Sequence, residues 1–259
     1  MKRTTVLMVL CSAVVLGAVL AAQDAGGSAG LFPVPNGPYL GQKPPGQLPQ
    51  LFAPGIVSTG MDDLNAVFAA DATEFFFTVK LPVRGRHVML TMKQAGGRWS
   101  APTVLAFSGQ YNDADPALAP RLYPHAEVFD ERIVSEYGGG DVFIAPDQAM
   151  IIFSSGRPGG YGNSDLYVSF RREDRSWTAP QNLGPAINSP YQEYCPSVSP
   201  DGKYFFFSSY KRPEDASVPT MRSLDDILRM YRQPYNGAGD VYWVDAAVIH
   251  ALRGNSLRE

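Results

Sequence analysis

A short hairpin pattern occurs three times in this chain and limits its fold more than any other feature does. In the clearest copy, residues 194–209, an extended segment is followed by a Pro-Asp-Gly turn at residues 200–202 and by an unbroken apolar run from Tyr204 to Phe207. The run is too short for a helix, and its aromatic residues favour a β-strand. Because polar and apolar residues do not alternate in it, both faces of this strand should be covered.

The same pattern recurs upstream. Residues 144–155 match it with Asp147 in the place of Asp201, 54 positions earlier, and a looser copy covers residues 68–78 with Asp71 in the turn. Repetition at this spacing indicates stacked supersecondary units, none of which can bury its own apolar face alone. The three aspartates are expected to be turn residues and not calcium ligands.

The two upstream turns lack the glycine of the clearest copy. Gln148 and Ala72 stand where that copy has Gly202. Since glycine adopts positive φ more easily than other residues, we expect these two turns to be less tight and less typical.

Further matching segments complete a four-stranded unit. Residues 165–170 predict a third strand, matched by residues 240–245 and more loosely by residues 87–92. A fourth strand is predicted after a polar turn, where a Trp-x-x-Pro segment begins at Trp177 and again at Trp99. Four antiparallel strands in a repeat of roughly 45 to 55 residues are typical of a β-propeller blade. The fold class is therefore all-β, and the recurrent aromatic residues are expected to pack between blades.

These residues resemble the Pro-Asp repeat of the TolB-like, WD-type β-propeller family. The resemblance covers about residues 48–245 and rests on residues 199–209, 162–167 and 177–188. It implies a propeller fold and no particular activity. Because members of the family usually have more blades, the resemblance implies a short or incomplete propeller here.

The N-terminal part of this domain is expected to close the ring. The last repeat has no fourth strand after Asp245, and residues 49–58 match residues 180–189 nearly in register. An N-terminal strand in that position would remove the exposed sheet edges. One unit is irregular, since no complete hairpin is recognisable between Asp115 and Gly140, so we count three good blades and one degenerate blade.

The first 22 residues have the pattern of a secretory signal peptide. Lys2 and Arg3 precede an apolar stretch from Val6 to Leu20, which small residues follow. An uncleaved membrane anchor is the alternative, although the stretch is short for a membrane span. We therefore predict a periplasmic or extracellular protein with a signal peptide (1–22), a Pro/Gly-rich linker (23–47) and a propeller domain (48–259).

Two helices are expected within the propeller domain. Ser223 is a candidate cap for a helix that runs through Tyr231, because acidic residues follow it in the first turn. Residues 246–252 are apolar enough to form a short C-terminal helix against the sheets.

Composition excludes several kinds of site. The formal net charge is −3 without a long basic run, so nucleic acid is not an expected partner. After signal cleavage Cys195 is the one remaining cysteine, which we expect to be a buried thiol. His87, His125 and His250 have no partners at metal-binding spacing, so we expect no metal and no cofactor.

A ligand-binding face is predicted where the loops after the second and fourth strands of the blades come together. Loops on a rigid scaffold are where binding residues concentrate. Alternatively, the glycines and asparagines here serve tight backbone conformations, and Arg157 pairs with Asp165. The candidate ligand-binding residues are Arg157, Tyr161, Asn163, Asn188, Tyr191, Glu193, Lys211 and Arg212.

We expect a non-catalytic scaffold that recognises a protein or a cell-envelope glycan, with no catalytic residues and no membrane span after signal cleavage. The alternative is a propeller-type glycosidase, or a propeller accessory to a peptidase. A convergent cluster of carboxylates and arginine would favour the enzyme, because glycoside hydrolysis uses paired acids. A broad rim of tyrosine, asparagine and arginine would favour binding.

Overall fold

Three antiparallel β-sheets account for most of the regular secondary structure in the described part of the chain. The computed structural model describes residues 33–82, 86–106, 108, 140–212 and 222–256. Residue contacts divide the chain into Met1–Pro33 and Val34–Glu259, and the sheets belong to the second unit. The predicted signal peptide and residues 115–139 of the predicted degenerate blade lie outside the described residues.

The three sheets follow one another along the chain, except that the N-terminal strand belongs to the third sheet. The first sheet contains β2 (Asp62–Phe68), β3 (Glu74–Lys80), β4 (His87–Ala95), and β5 (Arg98–Trp99) and β6 (Thr103–Val104), both paired with β4. The second contains β7 (Gly140–Ile144), β8 (Met150–Ser155), β9 (Asp165–Phe170) and β10 (Gln181–Asn182). The third contains β11 (Glu193–Val198), β12 (Tyr204–Ser209), β13 (Asp240–Asp245) and the N-terminal β1 (Gln50–Leu51).

β1 occupies the position of a fourth strand in the third sheet. Gln50 lies opposite Trp243, and Leu51 lies opposite Tyr242. In the second sheet, β10 pairs with β9 in the corresponding register. The pairing is the one predicted from the match between residues 49–58 and 180–189.

The three predicted hairpin turns have the same backbone geometry. Ala72, Gln148 and Gly202 have φ values of 56°, 58° and 71°, and each donates a 2.8 Å hydrogen bond from its backbone N–H to the carbonyl three residues earlier. The expectation that the turns at Ala72 and Gln148 are less tight is therefore wrong. In each turn the preceding aspartate accepts a backbone hydrogen bond from the residue two positions after it, which supports the turn.

The first strand of every sheet contains a β-bulge at an equivalent place. Asn65, Asp141 and Cys195 have positive φ, and the register with the second strand shifts at each of them. Such bulges bend a strand and increase its twist. Cys195 is a buried thiol, as predicted.

The third sheet lies between the other two and is buried on both faces. Phe206 and Trp243 belong to a core shared with the first sheet, while Phe205, Phe207 and Tyr242 belong to a core shared with the second. Each such side chain contributes roughly 1.5–3 kcal/mol through burial. The unbroken aromatic run in β12 is thus explained by apolar neighbours on both sides. The other recurrent aromatic residues, Trp99, Trp177 and Tyr167, are also buried.

Residues ahead of β1 pack against the sheets. Gly37 accepts hydrogen bonds from the Trp99 indole and the Gln94 amide at 2.8 and 2.9 Å, and Tyr39 donates one of 2.8 Å to Asp201. Leu40 is buried in the core shared by the first and third sheets. The packed part of the chain therefore begins before residue 48, the start that we predicted for the domain.

Two helices complete the described structure. Helix α1 (Leu224–Tyr231) begins after Ser223, whose side chain accepts a hydrogen bond from the backbone N–H of Asp226, as predicted. Helix α2 (Ala247–Ser256) covers the predicted C-terminal segment. Its Ile249 is buried in the core shared by the second and third sheets.

Candidate functional site

The candidate site is the face of the molecule on which the first and third strands of each sheet begin. We call it the loop face. Among the described residues it consists of residues 56–62, 81–82, 86, 105–106, 108, 156–164, 184–192, 210–212 and 232–239. Because the sheets are antiparallel, loops after second and fourth strands all lie at this end. The predicted site residues are therefore on one face.

A buried carboxylate lies at the start of the first strand in two of the sheets. Glu193 accepts hydrogen bonds from the backbone N–H and the hydroxyl of Ser189, at 2.9 and 2.5 Å, and from the Ser209 hydroxyl at 2.6 Å. Asp63 accepts the equivalent bonds from the N–H and hydroxyl of Thr59, at 2.7 and 3.0 Å. Burial raises the pKa of both carboxyls. These two acids hold the loop that leads into each strand.

The third strands begin in a similar way. Asp165 accepts hydrogen bonds from the backbone N–H groups of Tyr161 and Gly162, at 2.7 and 3.0 Å, and from the Asn182 amide at 2.7 Å. Asp240 accepts one of 2.8 Å from the N–H of Tyr235. Its Oδ1 has no hydrogen-bond partner within the part of the chain that the structure describes.

Asn188 also fixes a loop. Its side chain accepts a hydrogen bond of 2.8 Å from the Leu166 N–H and donates one of 3.0 Å to the Leu166 carbonyl. Ser58 makes the matching pair with Val241 in the third sheet. Asn188 and Glu193 are buried, so we assign them to loop structure and not to the direct ligand contact that the sequence suggested.

Arg157 is half-buried against an aromatic surface of the second sheet. Its guanidinium carbon lies 5.0 Å from the ring centre of Phe153 and 4.8 Å from that of Tyr167, within cation–π distance. Its Nε donates a hydrogen bond of 3.2 Å to Ser155. Arg157 thus presents only part of its side chain to a ligand.

Tyr161, Asn163 and Tyr191 are exposed and lie on two loops that meet on the loop face. The backbone N–H of Asn163 donates a hydrogen bond of 2.7 Å to the carbonyl of Tyr191. A Cβ at Gly162 would collide with that same carbonyl, so only glycine allows this approach of the two loops. The side chains of Tyr161 and Tyr191 are 49% and 39% exposed.

Lys211 and Arg212 follow the end of β12 and lie beside the connection from α1 to β13. The Lys211 carbonyl accepts a hydrogen bond of 3.2 Å from the Tyr242 hydroxyl. The guanidinium group of Arg212 packs against Gly237, where a Cβ would collide with it. This connection also carries Tyr235, which is 37% exposed. Sequence reasoning missed Tyr235, because nothing local places residues 232–239 on the loop face.

A second group that the sequence did not reveal joins the first and third sheets. Asp62 forms an ion pair with Lys80 at 3.2 Å and accepts hydrogen bonds of 3.4 Å from the hydroxyls of Tyr194 and Tyr210. Burial and the nearby Asp62 charge raise the pKa of Asp240 to about 6. The consecutive acids at residues 62–63 were the sequence signal that could have pointed to this group.

The described residues also bear on metal binding and on membrane-spanning helices. Within the described ranges, no group of three or more His, Cys, Asp or Glu side chains could hold a metal ion. No helix in that part of the chain is long and apolar enough to cross a membrane.

Comparison with known proteins finds similarity only at the level of structure. No family model matches the chain, and no curated protein matches its sequence. The crystal structure of the tricorn protease matches with a TM-score of 0.26 and a sequence identity of 10%. The match covers 71% of this chain and 13% of the tricorn protease chain. The crystal structure of TolB from Acinetobacter baumannii matches with a TM-score of 0.22 and a sequence identity of 14%. The match covers 61% of this chain and 28% of the TolB chain.

The structural similarity to TolB is the one that the sequence resemblance predicts. The chain spans less than a third of the length of either matched protein. Since both TM-scores are low, every assignment made for this protein depends on its own residues. Those residues define a mostly β protein with several four-stranded antiparallel sheets.

Proposed function

We propose that this protein is a secreted or periplasmic β-propeller that acts as a non-catalytic recognition scaffold for a protein or a cell-envelope glycan. The three sheets are its blades, and β1 closes a short ring by completing the last one. Two facts support this arrangement. β1 pairs with β13, and the innermost strand of the third sheet, β11, packs against β2 of the first and β7 of the second.

The observation that carries the binding function is the contrast between exposed and buried groups on the loop face. Tyr161, Tyr191 and Tyr235 are exposed, whereas Asp63 and Glu193 are buried and hydrogen-bonded to their own loops. Tyrosines on loops held in place by such bonds lose little entropy when a partner binds. Tyrosine and arginine are also enriched in the energetically important parts of protein interfaces. A protein is therefore the first candidate partner.

Affinity capture from an envelope fraction tests this function. The mature chain is compared with a variant in which Tyr161, Tyr191 and Tyr235 are all changed to Ala. In the matched control, Lys43 and Leu48 are changed to Ala. Both residues are exposed and lie outside the loop face. We expect the control to capture the same partner as the unmodified chain and the tyrosine variant to lose at least about 90% of it, because hot-spot residues dominate binding.

Two other outcomes of the capture experiment would change this interpretation. Equal capture by the tyrosine variant, with an unchanged melting temperature, would rule out the loop face as the binding surface. Loss of capture after enzymatic removal of glycans from the fraction would identify a glycan and not a protein as the partner.

A glycosidase is the second candidate, and the effect of the Asp62 charge on the Asp240 carboxyl favours it. A carboxyl whose pKa is raised to about 6 by burial and by a nearby acidic charge is typical of a general acid that works with a second carboxyl. Against this, Asp240 is only 1% exposed. Release of nitrophenol from aryl glycosides, abolished in both Asp62→Asn and Asp240→Asn, would establish the enzyme. No release by the unmodified chain would reject it.

A further inference from the structure

A cleft lies at the opposite end of the strands from the loop face. Its volume is about 290 Å³, close to the lower end of the range for small-molecule sites. It lies between the turn at residues 37–41, the β2–β3 turn and the β4–β5 turn. The side chains that shape it are those of Pro38, Tyr39, Phe68, Asp71 and Gln94.

One wall of the cleft has an unusual backbone. Tyr39 and Leu40 are consecutive non-glycine residues with φ of 49° and 56°. This conformation is uncommon for such residues and is found preferentially at functional sites. The Tyr39 hydroxyl donates a hydrogen bond to Asp201, and its ring packs edge-on against Phe68 and Tyr204, at 5.3 and 4.7 Å between ring centres. The wall is therefore held in place before any ligand binds.

The free polar atoms of the cleft are hydrogen-bond acceptors. Asp71 Oδ1 accepts bonds from the N–H and hydroxyl of Thr73, and these bonds lower the pKa of the carboxyl, so it is ionised at neutral pH. Its Oδ2 has no partner among the residues with described positions. Gln94 donates through Nε2 to the Gly37 carbonyl, and its Oε1 is likewise without a partner in that part of the chain.

A ligand that fits must supply hydrogen-bond donors beside an apolar surface. A sugar ring does both, because hydroxyl groups surround its edge and its C–H groups form an apolar face that packs on aromatic and proline side chains. We propose that this cleft binds one residue of a neutral saccharide, with the sugar ring against Tyr39, Pro38 and Phe68 and its hydroxyls donating to Asp71 and Gln94. This site is separate from the loop face and does not depend on the function proposed for it.

An NMR titration of the ¹⁵N-labelled mature chain tests the proposal. The probes are the methyl glycosides of glucose, galactose, mannose and N-acetylglucosamine, added singly, with lysine methyl ester as a cationic probe. We expect at least one glycoside to give saturable shifts at the amides of Gly37, Ala72 and Gly97. Asp71→Ala and Gln94→Ala should each weaken that binding about fivefold or more, since each removes an acceptor.

Two controls make the result specific. Asp147→Ala changes the equivalent turn of the second sheet, which does not line the cleft, and should leave glycoside binding unchanged. The variant with Tyr161, Tyr191 and Tyr235 changed to Ala should also bind normally. The proposal is overturned if no glycoside gives saturable shifts at these amides, if lysine methyl ester alone does so, or if Asp147→Ala weakens binding as much as Asp71→Ala.

Discussion

Asp62 accepts a hydrogen bond of 3.0 Å from the backbone N–H of Gly239, a residue 177 positions further along the chain. A Cβ at Gly239 would collide with this carboxylate and with the Tyr194 hydroxyl. The contact joins the first and third sheets at the loop face. The start of β2 and the residue just before β13 thus meet at one polar cluster. The pairing of β1 with β13 is a second long-range contact of this kind.

Replacing Glu193 by Ala should lower the free energy of unfolding by roughly 3 kcal/mol. The change leaves the N–H of Ser189 and the hydroxyls of Ser189 and Ser209 without their acceptor in a buried place, and each unmade bond of this kind is costly. Urea denaturation measures the effect. The control Glu173→Ala, at an exposed turn residue, should change stability little, and equal losses in both variants would contradict a special role for Glu193.

Ala72→Gly and Gln148→Gly should each stabilise the fold by up to about 1 kcal/mol. Both residues have positive φ in turns where the third copy has Gly202, and glycine removes the steric strain of that conformation. Thermal melting of each variant provides the measurement. The control Ala95→Gly, at the end of β4 and without positive φ, should be neutral or destabilising. A lower melting temperature in both turn variants would contradict the prediction.

Asp240 should make the protein more stable at pH 4.5 than at pH 7. Burial raises its pKa to about 6, above the usual value of 3.8, so the folded state binds the proton more tightly than the unfolded state. Its contribution to stability is therefore fully present below about pH 4 and is lost as the pH rises through 6, a change on the order of 3 kcal/mol. The raised pKa values of Asp63 and Glu193 act in the same direction.

Urea denaturation across this pH range, repeated with Asp240→Asn, separates the contribution of Asp240 from that of the other acids. The slope of stability against pH between 4 and 6 should be smaller in the variant. Below pH 4 the trend reverses, because hydrogen bonds to the Asp201 carboxylate lower its pKa to about 2 and its contribution is lost on protonation. An identical slope in the variant would show that Asp240 is not the responsible group.

Phe206→Asp should prevent folding. The ring of Phe206 is buried among Phe52, Phe68 and Trp243 between the first and third sheets, and an unpaired carboxylate there cannot be solvated. Circular dichroism should show loss of the cooperative melt. Leu224→Asp, on the exposed side of α1, is the matched control and should melt like the unmodified chain. A cooperative melt of Phe206→Asp would contradict burial of β12 on both faces.

The elements that could be predicted from the sequence depend on interactions between residues close together in the chain. The hairpins were recognisable because turn residues and aromatic runs lie side by side, and α1 was recognisable from Ser223 and the acids after it. The pairing of β1 with β13 is long-range, yet residues 49–58 repeat a local pattern seen at residues 180–189, so its place was also predictable.

The direction of polar side chains on the loop face could not be predicted in this way. Asn188 and Glu193 had the residue types of binding groups, but strand register and loop contacts turn them inward. The burial of Leu40 in the core shared by the first and third sheets and the contact of Asp62 with Gly239 likewise depend on how the sheets stack.

Sequence alone therefore determined the repeated strands and turns, because their period and turn chemistry are local. Tertiary structure decided which polar groups are exposed, because the free energy of burying a charge depends on partners that strand pairing, loop contacts and the stacking of the sheets bring within reach.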